Sequence, residues 1–348
     1  MKSARLIKFI LPVVCVAMIC GCAAKVDSYS GVDFVMDTFV EQRWYGKNSE
    51  QAYKDIRLKL QQLESKLSFY FPKSEISELN SAAGKHPVAL SDECYSILKE
   101  AVLYCEESGG IFDITVAPLT QVWNVTSEQP KVPSDEEIAS AKNLIGYKDI
   151  VFNDNDKSVM LKREGMAVDL GAVAKGAAAG MIRKIADDHK VQGYVSLGGN
   201  IMMHGKKPDR SDFIIGVRDP RGDASEYIAT VTMDGLIMAT TGDYERYFEQ
   251  DGVRYHHILD PFTGRPSDSG LISVTVFSEN GTLADSFSTS VFLQGKSGLN
   301  KYLNRDDCMI IAITEDFDVY VSPALKDRIK INPSKSQYKF IFDSLEEN

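Results

Sequence analysis

The chain has 348 residues, 44% of them hydrophobic, enough for one large domain or two small ones. Its 39 lysines and arginines stand against 49 aspartates and glutamates, a formal net charge of −10. That balance argues against nucleic acid as a partner, because no basic stripe is available to displace counterions from phosphates, and any polyanionic substrate must be held by a local device such as a metal, a helix N-terminus or single lysines.

Lys2, Arg5 and Lys8 precede an apolar stretch from Phe9 to Ile19 that only Pro12 interrupts. The stretch is too short for the ~20 apolar residues of a membrane span, so residues 1–21 read as a signal peptide. It closes on Ile19-Cys20-Gly21-Cys22, which resembles the lipobox of bacterial lipoproteins. Cys22 is then the acylated residue, palmitate-type chains anchoring the exported protein to a membrane on its periplasmic or outer side. A cleaved signal with an incidental cysteine is the alternative. Residues 22–31 read as a tether and 32–345 as a single domain.

Within that domain, Val32 to Tyr45 reads as one strand, and Ser49 to Leu67 as a helix with Ala52, Ile56, Leu60, Leu63 and Leu67 on one stripe. A helical turn over Ser74–Asn80 follows, then a helix between Ser91 and the Gly109-Gly110 stop. Cys94 and Cys105 share a face of that helix roughly 16 Å apart, too far for a disulfide, so core packing is their role. Another helix falls near Asp135–Leu144. Asp169 to Gly180 is rich in small residues and continues as an amphipathic helix. Beyond it come β-branched runs around Val195 and over Phe213–Val217, Ile228–Met233, His257–Leu259, Leu271–Phe277 and Met309–Val321, with one helix over Leu283–Leu293. The pattern predicts an α+β fold with mainly antiparallel or mixed sheets and packed helices.

Several common chemistries lack their signatures. Gly171-x₄-Gly176 has P-loop spacing, but Ala177-Ala178 replace the required Lys and Ser/Thr. Ser196 sits in Gly-Tyr-Val-Ser-Leu-Gly, one residue too long for a nucleophile elbow. No H-E-x-x-H or C-x-x-C is present.

Three segments do carry chemistry. Asp285 and Thr289 are four apart on a predicted helix and offer hard oxygen ligands for Mg²⁺. An Asp in a first helical turn, favoured by the dipole, explains the same residues. The Gly- and Ala-rich start at Asp169–Gly180 would let a pyrophosphate approach free N–H groups, with Lys175 adding charge, though close helix packing also explains it. In Tyr255-His256-His257-Ile258-Leu259-Asp260, His257 could serve as a general base, or form a structural His–Asp pair.

Taken in order, the segments resemble one family along the whole domain: the ApbE family of FAD:protein FMN transferases. The resemblance runs through Met36-Asp-Thr-Phe, Leu67-Ser-Phe-Tyr70, Ser74 to Asn80, Gly109 to Leu119 and Asp169 to Gly176. It continues through Val195 to Asn200, Thr240 to Arg246, His257 to Gly264 and Ala284 to Thr289. It implies a T-fold-related architecture and transfer of FMN from FAD to a Ser or Thr hydroxyl of an exported or membrane redox protein, with release of AMP. By similarity, Met36 and Tyr70 would border the flavin, and Ile111, Phe112 and Asp113 would form another wall. Asp169 and Lys175 would hold polar parts of FAD, and Leu259 would meet it through backbone. Asp285, Thr289 and the Ala172 carbonyl would hold Mg²⁺; Ser288 stands where some members carry an acidic ligand, which leaves one or two ions open. His257 would be the base, oriented by Asp260 or a backbone carbonyl. Acceptors would present a Ser/Thr-Gly-Ala-Ser/Thr-like segment. An FAD pyrophosphatase and a flavin-storing lipoprotein are the rival readings.

Overall fold

The chain enters the fold as a hairpin rather than a single strand. β1 (Ser28–Val35) and β2 (Thr38–Tyr45) are antiparallel and joined by Met36 and Asp37, whose φ values are 55° and 56°. Two successive left-handed residues make the turn that matches strand twist, yet neither is the Gly or Asn that usually reveals it. The computed structural model describes residues 27–233 and 235–342. The signal peptide, Cys22, most of the tether and residues 343–345 lie outside the described residues. Ser28 to Gly31, expected in the tether, belong to β1, where they pair with Tyr45 to Gln42.

α1 (Ser49–Leu67), α2 (Glu75–Ser81), β3 (Val88–Ala89), α3 (Asp92–Glu107), α4 (Ala117–Trp123) and α5 (Asp135–Lys142) follow. Three of these helices start at serines: Ser74, Ser91 and Ser134 are extended, and each hydroxyl accepts from a first-turn N–H, those of Ser77, Cys94 and Glu137. Such caps satisfy donors that a helix start leaves open. α4 was not expected. β4 (Ile150–Asn153) and β5 (Ser158–Leu161) pair with β3 in a small sheet, and α6 (Ala174–His189) comes next.

β6 (Gln192–Leu197), β7 (Asn200–His204), β8 (Phe213–Arg218), β9 (Tyr227–Met233) and β10 (Ile237–Gly242) lead to the hairpin β11 (Tyr247–Gln250) and β12 (Val253–His256). The strand expected at 257–259 therefore ends at His256. β13 (Leu271–Ser278), α7 (Gly281–Gly298), α8 (Asn300–Leu303), β14 (Met309–Thr314), β15 (Asp318–Val321), β16 (Ile329–Ile331) and β17 (Lys339–Ile341) complete the order. The run expected over 309–321 is thus two strands.

Nine strands form the main sheet in the order β1-β2-β6-β7-β10-β13-β14-β15-β17, antiparallel except for β15 with β17. On one face α1, α6 and α7 bury Ile56, Leu60, Ile182, Phe287 and Val291 against Val274, Val276, Ile310 and Ala312. On the other, the three-stranded sheet β16-β9-β8 packs Val217, Ile228 and Val231 against Phe277, Ile311 and Ile313. Central β13 and β14 are covered on both sides, which is why they read as continuous apolar runs. α6 and α7 touch backbone to backbone. A Cβ on Gly176 would lie 2.1 Å from the Gly281 carbonyl oxygen and 2.7 Å from the Asp285 Cβ. The small residues there serve close helix packing, and that contact brings Asp285 to the start of α6.

Candidate active site

A cleft of about 350 Å³ opens where the β1–β2 turn, the end of α1, the 109–114 loop, the start of α6, the end of β10 and α7 converge. Met36, Tyr70, Ile111, Phe112, Asp113, Asp169, Ala172, Lys175, His257, Leu259, Asp285 and Thr289 all line it. Residues spread over 250 positions of sequence thus meet at one site.

The mouth is set by the hairpin turn and the end of α1. The Met36 N–H donates to Glu64 Oε1 at 2.8 Å, fixing the left-handed turn to α1. Tyr70 is 67% exposed and packs edge-on against Phe69, its ring free to receive a planar ligand.

Asp113 differs from expectation. Its Oδ1 accepts from the Thr115 N–H and hydroxyl at 2.8 and 2.6 Å, and its Oδ2 from the Tyr147 N–H at 3.0 Å. Both oxygens are occupied, so the carboxylate shapes the wall instead of offering a free acceptor. Burial pushes its pKa up. Asp169 is partly engaged: its Oδ1 accepts from the Gly171 N–H at 2.8 Å, and burial likewise raises its pKa. Lys175 Nζ donates to the Gly171 carbonyl at 2.9 Å, so the 169–172 loop is fastened to α6. The open amides expected at this helix start are mostly used. The Ala174 N–H bonds the Leu170 carbonyl, and the Gly176 N–H bonds Asp285 Oδ2 at 2.9 Å.

His257 is held by a single carbonyl. The Arg246 oxygen accepts from the His257 backbone N–H at 3.0 Å and lies 3.2 Å from Nδ1. A carbonyl only accepts, so Nδ1 carries the proton and Nε2 keeps its lone pair. Asp260 is not the orienting group: its Oδ1 accepts from the Phe262 and Thr263 N–H groups at 2.7 and 3.3 Å within the following turn. The His257 ring is open to the cleft but hemmed in by protein. That burial lowers its pKa to about 4; the Arg246 carbonyl opposes the shift, and the charges of Arg246, His256 and Lys175 add to it. It is a neutral acceptor at pH 7. Neighbouring His256 is buried, with Nε2 at 3.1 Å from the Ser267 carbonyl and Nδ1 accepting from the Ile258 N–H at 3.2 Å.

The oxygens on α7 form a directional chain. Ser288 Oγ donates to the Asp285 carbonyl at 2.8 Å, which uses its only proton. Thr241 must therefore donate across the 2.8 Å contact to Ser288, and Thr289 across the 3.1 Å contact to Thr241. Thr289 is left with lone pairs for the cleft. Ser288 is fully buried and does not line the cleft, its hydroxyl being committed to the Asp285 carbonyl and to Thr241. Asp285 Oδ1 has no protein partner among the described residues. One free carboxylate oxygen, one acceptor-presenting hydroxyl and neighbouring Ala172 fit a hard cation that completes its shell with water and phosphate. Among the described residues no three His, Cys, Asp or Glu side chains are placed together to hold a metal.

The Thr241–Arg246 segment is fastened by three arginines. Arg221 forks onto Asp243 with two 2.7 Å bonds, Arg218 meets Glu245 at 3.1 Å and lies over the Tyr244 ring, and Arg246 reaches Asp37 at 3.4 Å. Asn200, Thr240, Thr241 and residues 120 and 123–126 also line the cleft without having been assigned a ligand-holding role. Thr241 and Asn200 stand in segments that carry the resemblance; nothing marked α4 and its following loop.

Residues 36–313 match the sequence model of the ApbE family. The FAD:protein FMN transferase of Treponema pallidum is 32% identical over 334 residues, covering 90% of this chain and 91% of that protein. The one from Klebsiella pneumoniae is 31% identical over 319 residues, covering 91% and 98%. Among solved structures, the ApbE protein of Thermotoga maritima superposes with a TM-score of 0.78 at 33% identity, over 90% of this chain and 99% of that one. Flavin transferase ApbE from Vibrio cholerae gives 0.78 at 25% identity, over 87% and 99%.

Proposed function

The chain belongs to the ApbE family, and we propose that it transfers FMN from FAD to a Ser or Thr hydroxyl of an exported or membrane redox protein, releasing AMP. The observation that carries the reading is the meeting, in one cleft, of a neutral imidazole with a free Nε2 and the Asp285–Thr289 oxygen pair. A storage protein needs neither.

Asp285, Thr289 and the Ala172 carbonyl would hold Mg²⁺. When bound, the ion withdraws charge from the pyrophosphate and stabilises the AMP leaving group. Lys175 and Asp169 face polar parts of the dinucleotide, while Met36, Tyr70, Ile111 and Phe112 offer apolar surface to the flavin. The acceptor's alcohol is a weak nucleophile until its proton is taken. His257 Nε2 removes that proton as the oxygen attacks the FMN-side phosphorus, and the Arg246 carbonyl holds the ring in the tautomer that can do so. The product is FMN in phosphoester linkage to the acceptor.

The lipobox supports anchoring through Cys22 after removal of residues 1–21, and hence acceptors on the same side of a bacterial membrane. The acceptor segment is of the Ser/Thr-Gly-Ala-Ser/Thr type. Peptide mass spectrometry tests the assignment: an acceptor incubated with the enzyme, FAD and Mg²⁺ should gain the mass of FMN less one water on that segment's hydroxyl. Acceptor that stays unmodified while FAD is split to FMN and AMP would make the protein a pyrophosphatase.

A further inference from the structure

Asn200 opens β7 directly after Gly198 and Gly199, lines the cleft, and is 1% exposed. Its amide nitrogen is buried and has no hydrogen-bond partner, and no protein group among the described residues pairs with its carbonyl end either. That sets it apart from Gln42, also buried with an unpaired amide nitrogen, whose Oε1 accepts from Trp44 Nε1 at 2.8 Å and which does not line the cleft. A buried amide nitrogen without a partner is rare because it loses its water without compensation. A carboxamide can also turn end for end, so either its donor or its acceptor can be presented to the cleft.

We propose that the Asn200 amide is a substrate-binding group, left without a protein partner so that it can pair with a substrate edge carrying a donor beside an acceptor. Two sources bring such an edge here. The pyrimidine-like side of the flavin ring sets an N–H between two carbonyls, and a peptide group of the acceptor segment offers the same pair. Asn200 lies on the cleft wall with Thr38 and Thr240, between the hairpin turn at the mouth and the oxygens on α7. Either substrate passes this wall. The inference rests on the flavin-transfer reading for the identity of the ligand, but not for the unpaired amide.

The test is Asn200→Leu, which keeps the side-chain size and removes both polar ends. Without ligand, the variant should melt about 1–3 °C higher than the wild type, because a penalty of the folded state is gone. With FAD, read by quenching of flavin fluorescence, affinity should fall about tenfold or more, the loss of one buried bond to substrate. If FAD affinity is kept and the KM for the acceptor rises by that factor, the acceptor supplies the edge; both results support the proposal. FAD affinity and acceptor KM each within twofold of the wild type would overturn it, whatever the melting temperature does. Should the Leu variant not fold, Asn200→Asp, of equal size and lacking the donor, is measured for the same two constants. A wild type that binds no FAD would instead refute the flavin reading, and the ligand-free melting comparison would still report on the amide.

Discussion

Two buried aspartates, on opposite sides of the main sheet, show how differently the molecule treats charge. Asp219, beside the three-stranded cover, accepts from the Arg221 N–H at 2.9 Å and the Tyr338 hydroxyl at 2.5 Å, and pairs with Lys335 at 2.8 Å. Burial pushes its pKa up, but these bonds outweigh it and hold the carboxyl below its usual range. Asp285, on the helix-covered side, receives a single N–H and leaves Oδ1 bare. The first aspartate is satisfied by the fold. The second is left half-satisfied at the cleft, as are His257 Nε2 and the Asn200 amide. Buried polar groups are normally paired, so the bare Asp285 oxygen and the unpaired Asn200 amide, in the cleft that His257 also lines, mark where a ligand completes the structure.

The comparison predicts opposite outcomes for the two carboxylates. Asp285→Ala should lower turnover by about a thousandfold or more, since charge stabilisation at a transferring phosphoryl group is the main catalytic term, while denaturant unfolding changes little. Asp219→Ala should do the reverse. The Tyr338 hydroxyl and the Arg221 N–H lose their shared acceptor, which costs about 1–3 kcal/mol of stability, with turnover per folded molecule unchanged. Comparable losses of turnover in both variants would break the distinction.

The adjacent histidines sharpen it. His257→Ala should reduce the rate about 10²–10⁴-fold while FAD still binds. His256→Ala should act on stability instead, by about 1–2 kcal/mol, because both its ring nitrogens are committed to the chain. Its rate per folded molecule should stay within a few-fold. The lowered pKa of His257 also fixes a pH dependence. The ring is a competent base above about 4 and is lost as pH falls through that value. In a kcat/KM profile, which reports the free enzyme, the acid limb should fall well below the ordinary histidine value of ~6.5. A limb at 6.5 would mean that His257 is solvated like a surface residue. The smallest expected effect belongs to Thr241→Val. Removing the acceptor of the Thr289 proton should weaken Mn²⁺ binding, measured by electron paramagnetic resonance without turnover, about tenfold, and Thr241→Ser should restore it.

Much of this was legible from the sequence, for identifiable reasons. Helices with an apolar stripe, such as α1, or with a serine cap, such as α3 and α5, announce themselves through local chemistry. So does the spacing of Asp285 and Thr289, since residues four apart on a helix share a face. What escaped depends on tertiary context. Met36-Asp37 turns the chain with neither Gly nor Asn, held by Glu64 from α1. Ser288 lies one residue from Thr289 and is still buried, because Thr241 on β10 draws its hydroxyl inward. The small residues at the start of α6 read equally as a phosphate cradle or a packing surface, and only the contact with Gly281, too close to admit a Cβ, decides for packing at Gly176. Asp113 resembles a ligand in sequence and is consumed by Thr115 beside it and by the distant Tyr147 N–H. The unpaired state of Asn200 has no sequence signal, since it consists of the absence of neighbours.

The most direct test of flavin transfer is a stoichiometry. With FAD and Mg²⁺ alone, the enzyme should release AMP slowly or not at all, because the acceptor hydroxyl is the nucleophile that His257 is placed to activate. Adding an acceptor with an accessible threonine should release one AMP per flavin fixed, with AMP quantified by chromatography and flavin by in-gel fluorescence of the denatured acceptor. Rapid AMP and free FMN without acceptor, and no fluorescent band with it, would contradict the account.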